Sequence, residues 1–179
     1  FTMVDTTVRC WGYGEYGQLG NGAFDDSASP VVVTDLSGVT QLSSGREFTC
    51  ALLSSGSVKC WGENGQGQLG NDSFSNSAVP VSVDGITNAI GVITGGSHAC
   101  ALLEGGSIKC WGENELGQLG NADDQTTSNV PVSVVGIDNA SQIAAGDQSS
   151  CALITSGAVK CWGSNYEGQL GNDSNDFNY

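Results

Sequence analysis

Valine alternates with serine in "PVSVDG" (80–85), and valine-rich runs also follow Pro30 ("VVV") and Pro131 ("VSV"). Period-two alternation of this kind predicts a strand with one face buried. "AIGVITGG" (89–96) is a short β-branched run closed by glycines, and "CALLSSGSVKCWG" (50–62) reads as two strands folded about a glycine-bearing turn. No window sustains an apolar stripe at the 3.6-residue spacing of a helix. The pattern therefore predicts an all-β chain.

These elements recur. "CWGENGQGQLGN" from Cys60 has counterparts from Cys10, Cys110 and Cys161, at spacings of 50, 50 and 51 residues, and Gly45, Gly95 and Gly146 precede successive cysteines on the same beat. A period near fifty marks stacked supersecondary units, here four strands each, that bury their apolar faces on their neighbours. Units are expected at about 1–28 (partial), 29–78, 79–128 and 129–179 of one array, 1–179. The small residues of "SSG" (43–45), "TGG" (94–96) and "AAG" (144–146) predict a strand in a crowded place, such as the wall of a central channel.

Three cysteine pairs stand ten residues apart: Cys50 with Cys60, Cys100 with Cys110 and Cys151 with Cys161. A hairpin centred on Ser55 sets Leu52 opposite Val58 and Cys50 opposite Cys60. Directly opposed Cβ atoms lie about 4.5–5.5 Å apart, at the edge of disulfide reach. One disulfide per hairpin is expected, with reduced cysteines packed as small core residues as the alternative. Zinc is disfavoured, because its ligands cluster at shorter spacing and the one histidine, His98, is not repeated. Regular pairing points to an oxidising compartment, extracellular or at a cell surface. Cys10 has no partner within the chain: aligning residues 1–10 under 51–60 places that partner one residue before Phe1, and Thr6 falls where the other turns carry Gly56, Gly106 and Gly157. The chain thus begins inside a hairpin and stops before the fourth Pro-Val strand. This reads either as a stretch of a longer chain or as broken units completed by strands of another copy.

Composition narrows the function. Aromatics are 7% and glycine supplies 27 residues, so the core is built from small and β-branched side chains. A net charge of −14 disfavours nucleic acid and anionic membrane surfaces as partners, and no apolar run approaches the length needed to cross a bilayer. Sequons stand at Asn71, Asn139 and Asn172. Asp25 with Asp26, Asp123 with Asp124 and Asp173 with Asp176 offer a weak calcium reading, without the D-x-D-x-D-G loop; no cofactor is expected. His98 stands where sister repeats carry Phe48 and Ser149 and lacks an identifiable nucleophile, so no catalytic site is expected. The glycines of "GENGQGQLG" have no Walker lysine after them and read as turn residues. Trp11, Trp61, Trp111 and Trp162 read as packing anchors between units. Lys59, Lys109, Lys160 and Arg9 share one position, where they would neutralise Glu63 or Glu113 or shield a strand edge.

"CALLSSGSVKCWGENGQGQLGN", with the approaches "GSHAC" (96–100) and "GREFTC" (45–50), resembles the regulator of chromosome condensation repeat family across essentially the whole chain, and the cysteine pairing is similar to that of exported bacterial members. The resemblance implies a β-propeller of four-stranded antiparallel blades, of which about 3.5 repeats are present. The eukaryotic namesake is an exchange factor for the GTPase Ran that also docks on nucleosomes; other relatives bind proteins, and one inhibits β-lactamases. The expected function is a non-enzymatic extracellular protein-binding or structural module, an adhesin or a fibre subunit assembling through its terminal blades, whose partner is a protein or other copies of itself. The alternative is a partner-modulating propeller, either an exoenzyme inhibitor or an exchange factor.

Overall fold

The structure, a computed structural model, describes residues 2–4, as backbone, and 7–175. Among these it holds fourteen strands and no helix. The first sheet contains β1 (Thr2–Val4), β2 (Thr7–Gly12) and β3 (Ser27–Val32). The second runs in order β4 (Val39–Ser44), β5 (Phe48–Leu53), β6 (Val58–Gly62) and β7 (Ser77–Ser82), and the third repeats it with β8 (Ala89–Thr94), β9 (His98–Leu103), β10 (Ile108–Glu113) and β11 (Thr127–Ser133). The last has β12 (Ala140–Ala145), β13 (Ser149–Ile154) and β14 (Val159–Gly163). All neighbours are antiparallel. These are the blades of a β-propeller.

The blades are cut differently from the sequence units. The Pro80 strand, β7, pairs with β6 and closes the second sheet, whereas the unit boundary at 78/79 divides it. A period can be cut anywhere along a repeating string; hydrogen bonding alone decides which sheet a strand joins.

Inside each blade, the middle strands are the most buried, β5 and β9 almost completely. Their apolar side chains alternate between the two faces, so each blade contributes to two cores. Phe48, Leu52, Val58 and Leu69 of the second blade meet Val92, Ala101 and Trp111 of the third, and Leu102, Ile108 and Leu119 meet Ala152 and Trp162 of the fourth. The innermost strands β4, β8 and β12 stand side by side along the axis. The crowding expected there is real. A Cβ on Gly45 would lie 2.2 Å from the Phe48 ring and 2.7 Å from Gly95 O, and one on Gly95 would lie 2.1 Å from His98 and 2.7 Å from Gly146 O. Side chains complete the contact: Gln41 Nε2 donates to Val92 O (2.8 Å), and Ser43 Oγ meets Thr94 Oγ1 (2.8 Å).

Candidate functional site

The seams between blades are built from the recurring string. Trp61 Nε1 donates to Gln18 O (3.0 Å), Trp111 Nε1 to Gln68 O (2.9 Å) and Trp162 Nε1 to Gln118 O (3.0 Å), so the Gly-Gln-Leu-Gly loop of one blade receives the indole of the next. The glycine closing that loop is required twice over. Gly70 has φ +63°, which side chains rarely adopt, and a Cβ there would sit 2.8 Å from the Trp111 ring. Trp61 and Trp111 are fully buried by this arrangement, while Trp11, which has no such loop beside it among the described residues, is 46% exposed.

The long loop after β6 is held from inside by Asn64. Its Nδ2 donates to Asn71 Oδ1, Ser73 O and Ser75 O, and its Oδ1 accepts from Leu69 N. Asn114 repeats this pattern after β10, and Asn165 makes the matching bonds to Asn172, Ser174 and Leu170 after β14. Sequence reasoning missed this role; the signal was an asparagine recurring after Cys-Trp-Gly in three copies of four, at a place where a solvent-facing residue would vary. Near it, Gln18 Nε2 reaches Glu47 Oε2 and Gln68 Nε2 reaches Glu63 Oε2, both at 2.9 Å. Gln118 Nε2 is buried without a hydrogen-bond partner, and Glu113, which holds the position of Glu63 in the next blade, bonds to Gln148. Burial and nearby carboxylates push both Glu47 and Glu113 above the ordinary glutamate pKa, with Glu63 acting on the first and Glu115 on the second.

The paired cysteines face each other in the register drawn from the turn: Cys50 opposes Cys60 and Leu52 opposes Val58. The sulfurs of Cys50–Cys60, Cys100–Cys110 and Cys151–Cys161 are 2.10, 2.11 and 2.05 Å apart. Cys10 is free and buried, and burial pushes its thiol pKa up. The first hairpin pairs Thr2 with Arg9, one residue out of step with the Ala51–Lys59 pairing of the second blade. Thr6, Asp176 and the two chain ends lie outside the described residues.

His98 is fully buried at the seam between the third and fourth blades. Ser150 Oγ donates to Gln118 O (3.1 Å), which assigns His98 Nε2 as donor to Ser150 Oγ (2.9 Å). Nδ1 is left as a bare lone pair with no partner, with the ring against Gly95. Burial lowers the pKa from 6.5 to about 4, opposed by Asp147. The bonds of this imidazole are therefore those of a structural bridge.

The lysines do not meet the expected glutamates. Lys59 Nζ donates to Asp35 O (3.4 Å) and Lys160 Nζ to Gly136 O (3.2 Å), in the loops that join blades. Four residues of strand separate Lys59 from Glu63, about 13 Å, which puts them at opposite ends of the blade. Of the acidic pairs, Asp26 Oδ1 accepts from Gly14 N (2.8 Å) and Asp123 Oδ1 from Gln125 N (3.2 Å), acting as loop caps. Among the described residues no three His, Cys, Asp or Glu side chains converge to hold a metal. Asn139 is exposed, whereas Asn71 and Asn172 have their amide oxygens committed to Asn64 and Asn165.

The regulator of chromosome condensation (RCC1) repeat model matches residues 7–52, 55–102 and 106–153, and a second model of the same repeat matches 39–68, 92–118 and 140–169. The chain belongs to the RCC1 repeat family. Solved structures superpose on these RCC1 repeats. Human WBSCR16 is 26% identical with a TM-score of 0.80, covering 92% of this chain and 44% of that one. A chain in the crystal structure of Kap60 bound to yeast RCC1 (Prp20) is 20% identical with a TM-score of 0.82, covering 96% and 43%. Prp20p from Saccharomyces cerevisiae, a protein with binding properties toward Gsp1p and histones, is 24% identical with a TM-score of 0.79, covering 93% and 43%. No curated protein matches the sequence. The chain spans less than half the length of these structures, and the likeness to the yeast proteins is one of fold.

Proposed function

We propose that this RCC1-repeat chain is a non-enzymatic protein-binding or structural module of an oxidising, extracellular or cell-surface setting. The observation that carries the reading is the repetition of one cystine-bearing hairpin in three successive blades, each bridging the strands that the repeat pattern sets opposite. Rigid blades displaying loops of unequal sequence suit recognition of another protein, and the recurring polar residues are spent on holding those loops and seams. The three sequons are read as acceptor sites, with Asn139 and Asn172 exposed, and Cys10 as unpaired within the chain. The finer reading is a fibre or adhesin subunit whose terminal blades, such as β12-β13-β14 with its three strands among the described residues, accept strands from other copies. A second reading, a modulator of a GTPase or exoenzyme, draws on Prp20p and its binding to Gsp1p.

The test is thiol counting and light scattering on the chain as exported by its host. One reactive thiol after denaturation, with mass rising with concentration, supports the cystine-bridged, self-assembling module. Seven thiols would sink the compartment assignment. A monomer at every concentration would sink the fibre form and favour the modulator.

A further inference from the structure

The charge of this chain is divided between its two faces. Because the strands are antiparallel, loops after β2, β4, β6, β8, β10, β12 and β14 emerge on one face and those after β3, β5, β7, β9, β11 and β13 on the other. The first face carries thirteen acidic residues, among them Glu15, Glu47, Glu63, Glu113, Glu115 and Asp147, against one cation, Arg46. The second carries four, Asp35, Asp84, Glu104 and Asp138, balanced by the four remaining cations at that end of β2, β6, β10 and β14. Among the described residues the faces thus stand at −12 and zero. A six-residue strand separates them by about 20 Å, well beyond the roughly 8 Å screening length of physiological salt, so a partner on one face does not feel the other.

Aromatic exposure follows the same division. Tyr13, Tyr16, Phe24, Phe74 and Tyr166 are each 36–59% exposed, and all five stand in loops of the acidic face. Trp11, at that end of β2, adds a sixth; the large apolar side chains exposed elsewhere are aliphatic. Phe24 and Phe74 hold the same loop position in adjacent blades, each three residues after the Asn that follows the loop-closing glycine, as "NGAF" and "NDSF". A solvated acidic surface needs no exposed phenyl rings. Exposed aromatics are the residues enriched in protein interfaces, and their ring faces attract cations, as carboxylates do. The loops beneath are already ordered by Asn64, Asn114 and the chain of bonds from Arg46 N to Gly96 O and Gly96 N to Asp147 O, so binding freezes little more.

We propose that this acidic, aromatic-studded face is a docking surface for a cationic polypeptide segment, arginine-rich in preference to lysine-rich. The proposal rests on the protein-binding reading and adds the face and the partner chemistry. Guanidinium is favoured because it pairs with carboxylate through two parallel bonds and stacks flat on aromatic rings, which an ammonium does not.

The test titrates the intact chain into fluorescein-labelled deca-arginine, deca-lysine and deca-glutamate at physiological salt. Two triple variants remove equal charge, Glu15→Gln/Asp25→Asn/Glu115→Gln on the proposed face and Asp84→Asn/Glu104→Gln/Asp138→Asn on the other. The first is expected to weaken deca-arginine binding by about tenfold, and the second by less than about twofold. Phe24→Ser/Phe74→Ser, at unchanged charge, should cost about fivefold, and deca-arginine should bind more tightly than deca-lysine. Melting temperatures report that each variant is folded. Equal losses from the two triples, indifference to the phenylalanines, or no binding of deca-arginine would each overturn the proposal. Those outcomes leave the wider protein-binding reading standing, since a partner of other chemistry on other loops would still satisfy it.

Discussion

Acid should loosen the seam between the third and fourth blades, and His98 sets by how much. In the folded chain its imidazole is neutral, donates through Nε2 to Ser150 and presents a partnerless Nδ1 to Gly95. Protonation would place a charge and a new donor in a dry site with no acceptor. The folded pKa is lowered, to about 4 against 6.5. The unfolded chain therefore takes up the proton first, and stability falls as pH drops below 6.5, levelling off near 4. Between pH 7 and pH 4.5 the linkage amounts to about 2 kcal/mol, roughly two-thirds of the about 3.4 kcal/mol that a gap of about 2.5 pKa units yields once pH has fallen below both values. Carboxylates titrate in the same range, so the measurement needs a matched control. His98→Phe supplies it, because Phe48 occupies the same position in the second blade at 1% exposure. Denaturant unfolding followed by tryptophan fluorescence at both pH values gives four free energies. The wild type should lose about 2 kcal/mol more than the variant on acidification. Equal losses would refute the assignment of His98 as a buried neutral bridge.

Gly70→Ala should destabilise by at least about 2 kcal/mol in urea unfolding, combining the positive φ with a Cβ driven into the Trp111 ring, whereas Gly85→Ala, with open space around it, should cost only the backbone term of about 1 kcal/mol. Trp111→Phe removes the donor to Gln68 O and leaves a buried carbonyl unpaired; a loss of roughly 1–3 kcal/mol is expected, with hydrogen exchange rising at both blades of that seam. Asn64→Asp keeps the acceptor for Leu69 N but loses the donor to Ser73 O and Ser75 O, so it should be almost as damaging as Asn64→Ala, and protease nicking within 65–76 would report it. Cys100→Ala/Cys110→Ala should lower stability by about 2–3 kcal/mol, the chain-entropy value for so short a loop, read from the denaturant midpoint.

How much of this was legible beforehand follows from where each piece of information resides. The period, the four strands, the Cys50–Cys60 register and the role of the tryptophans are local or repeated, and repetition makes them visible: each unit must bury the same face, so the same residues return at the same positions. Asn64 could have been read the same way and was not. The Lys59–Glu63 expectation failed because neighbours in sequence sit a blade's height apart once the strand is extended. Other facts are absent from any linear pattern. Which sheet owns the Pro80 strand, which carbonyl receives Trp111 and why His98 tolerates burial all depend on a second chain segment, about twenty residues away for the first and 43 and 52 residues away for the others. The linear pattern carries the fifty-residue period and its cystine, since both repeat. How blades are cut and how they meet is a matter of packing, which also gathers acids that look evenly scattered along the chain onto one face, because antiparallel strands deliver alternate loops to opposite ends.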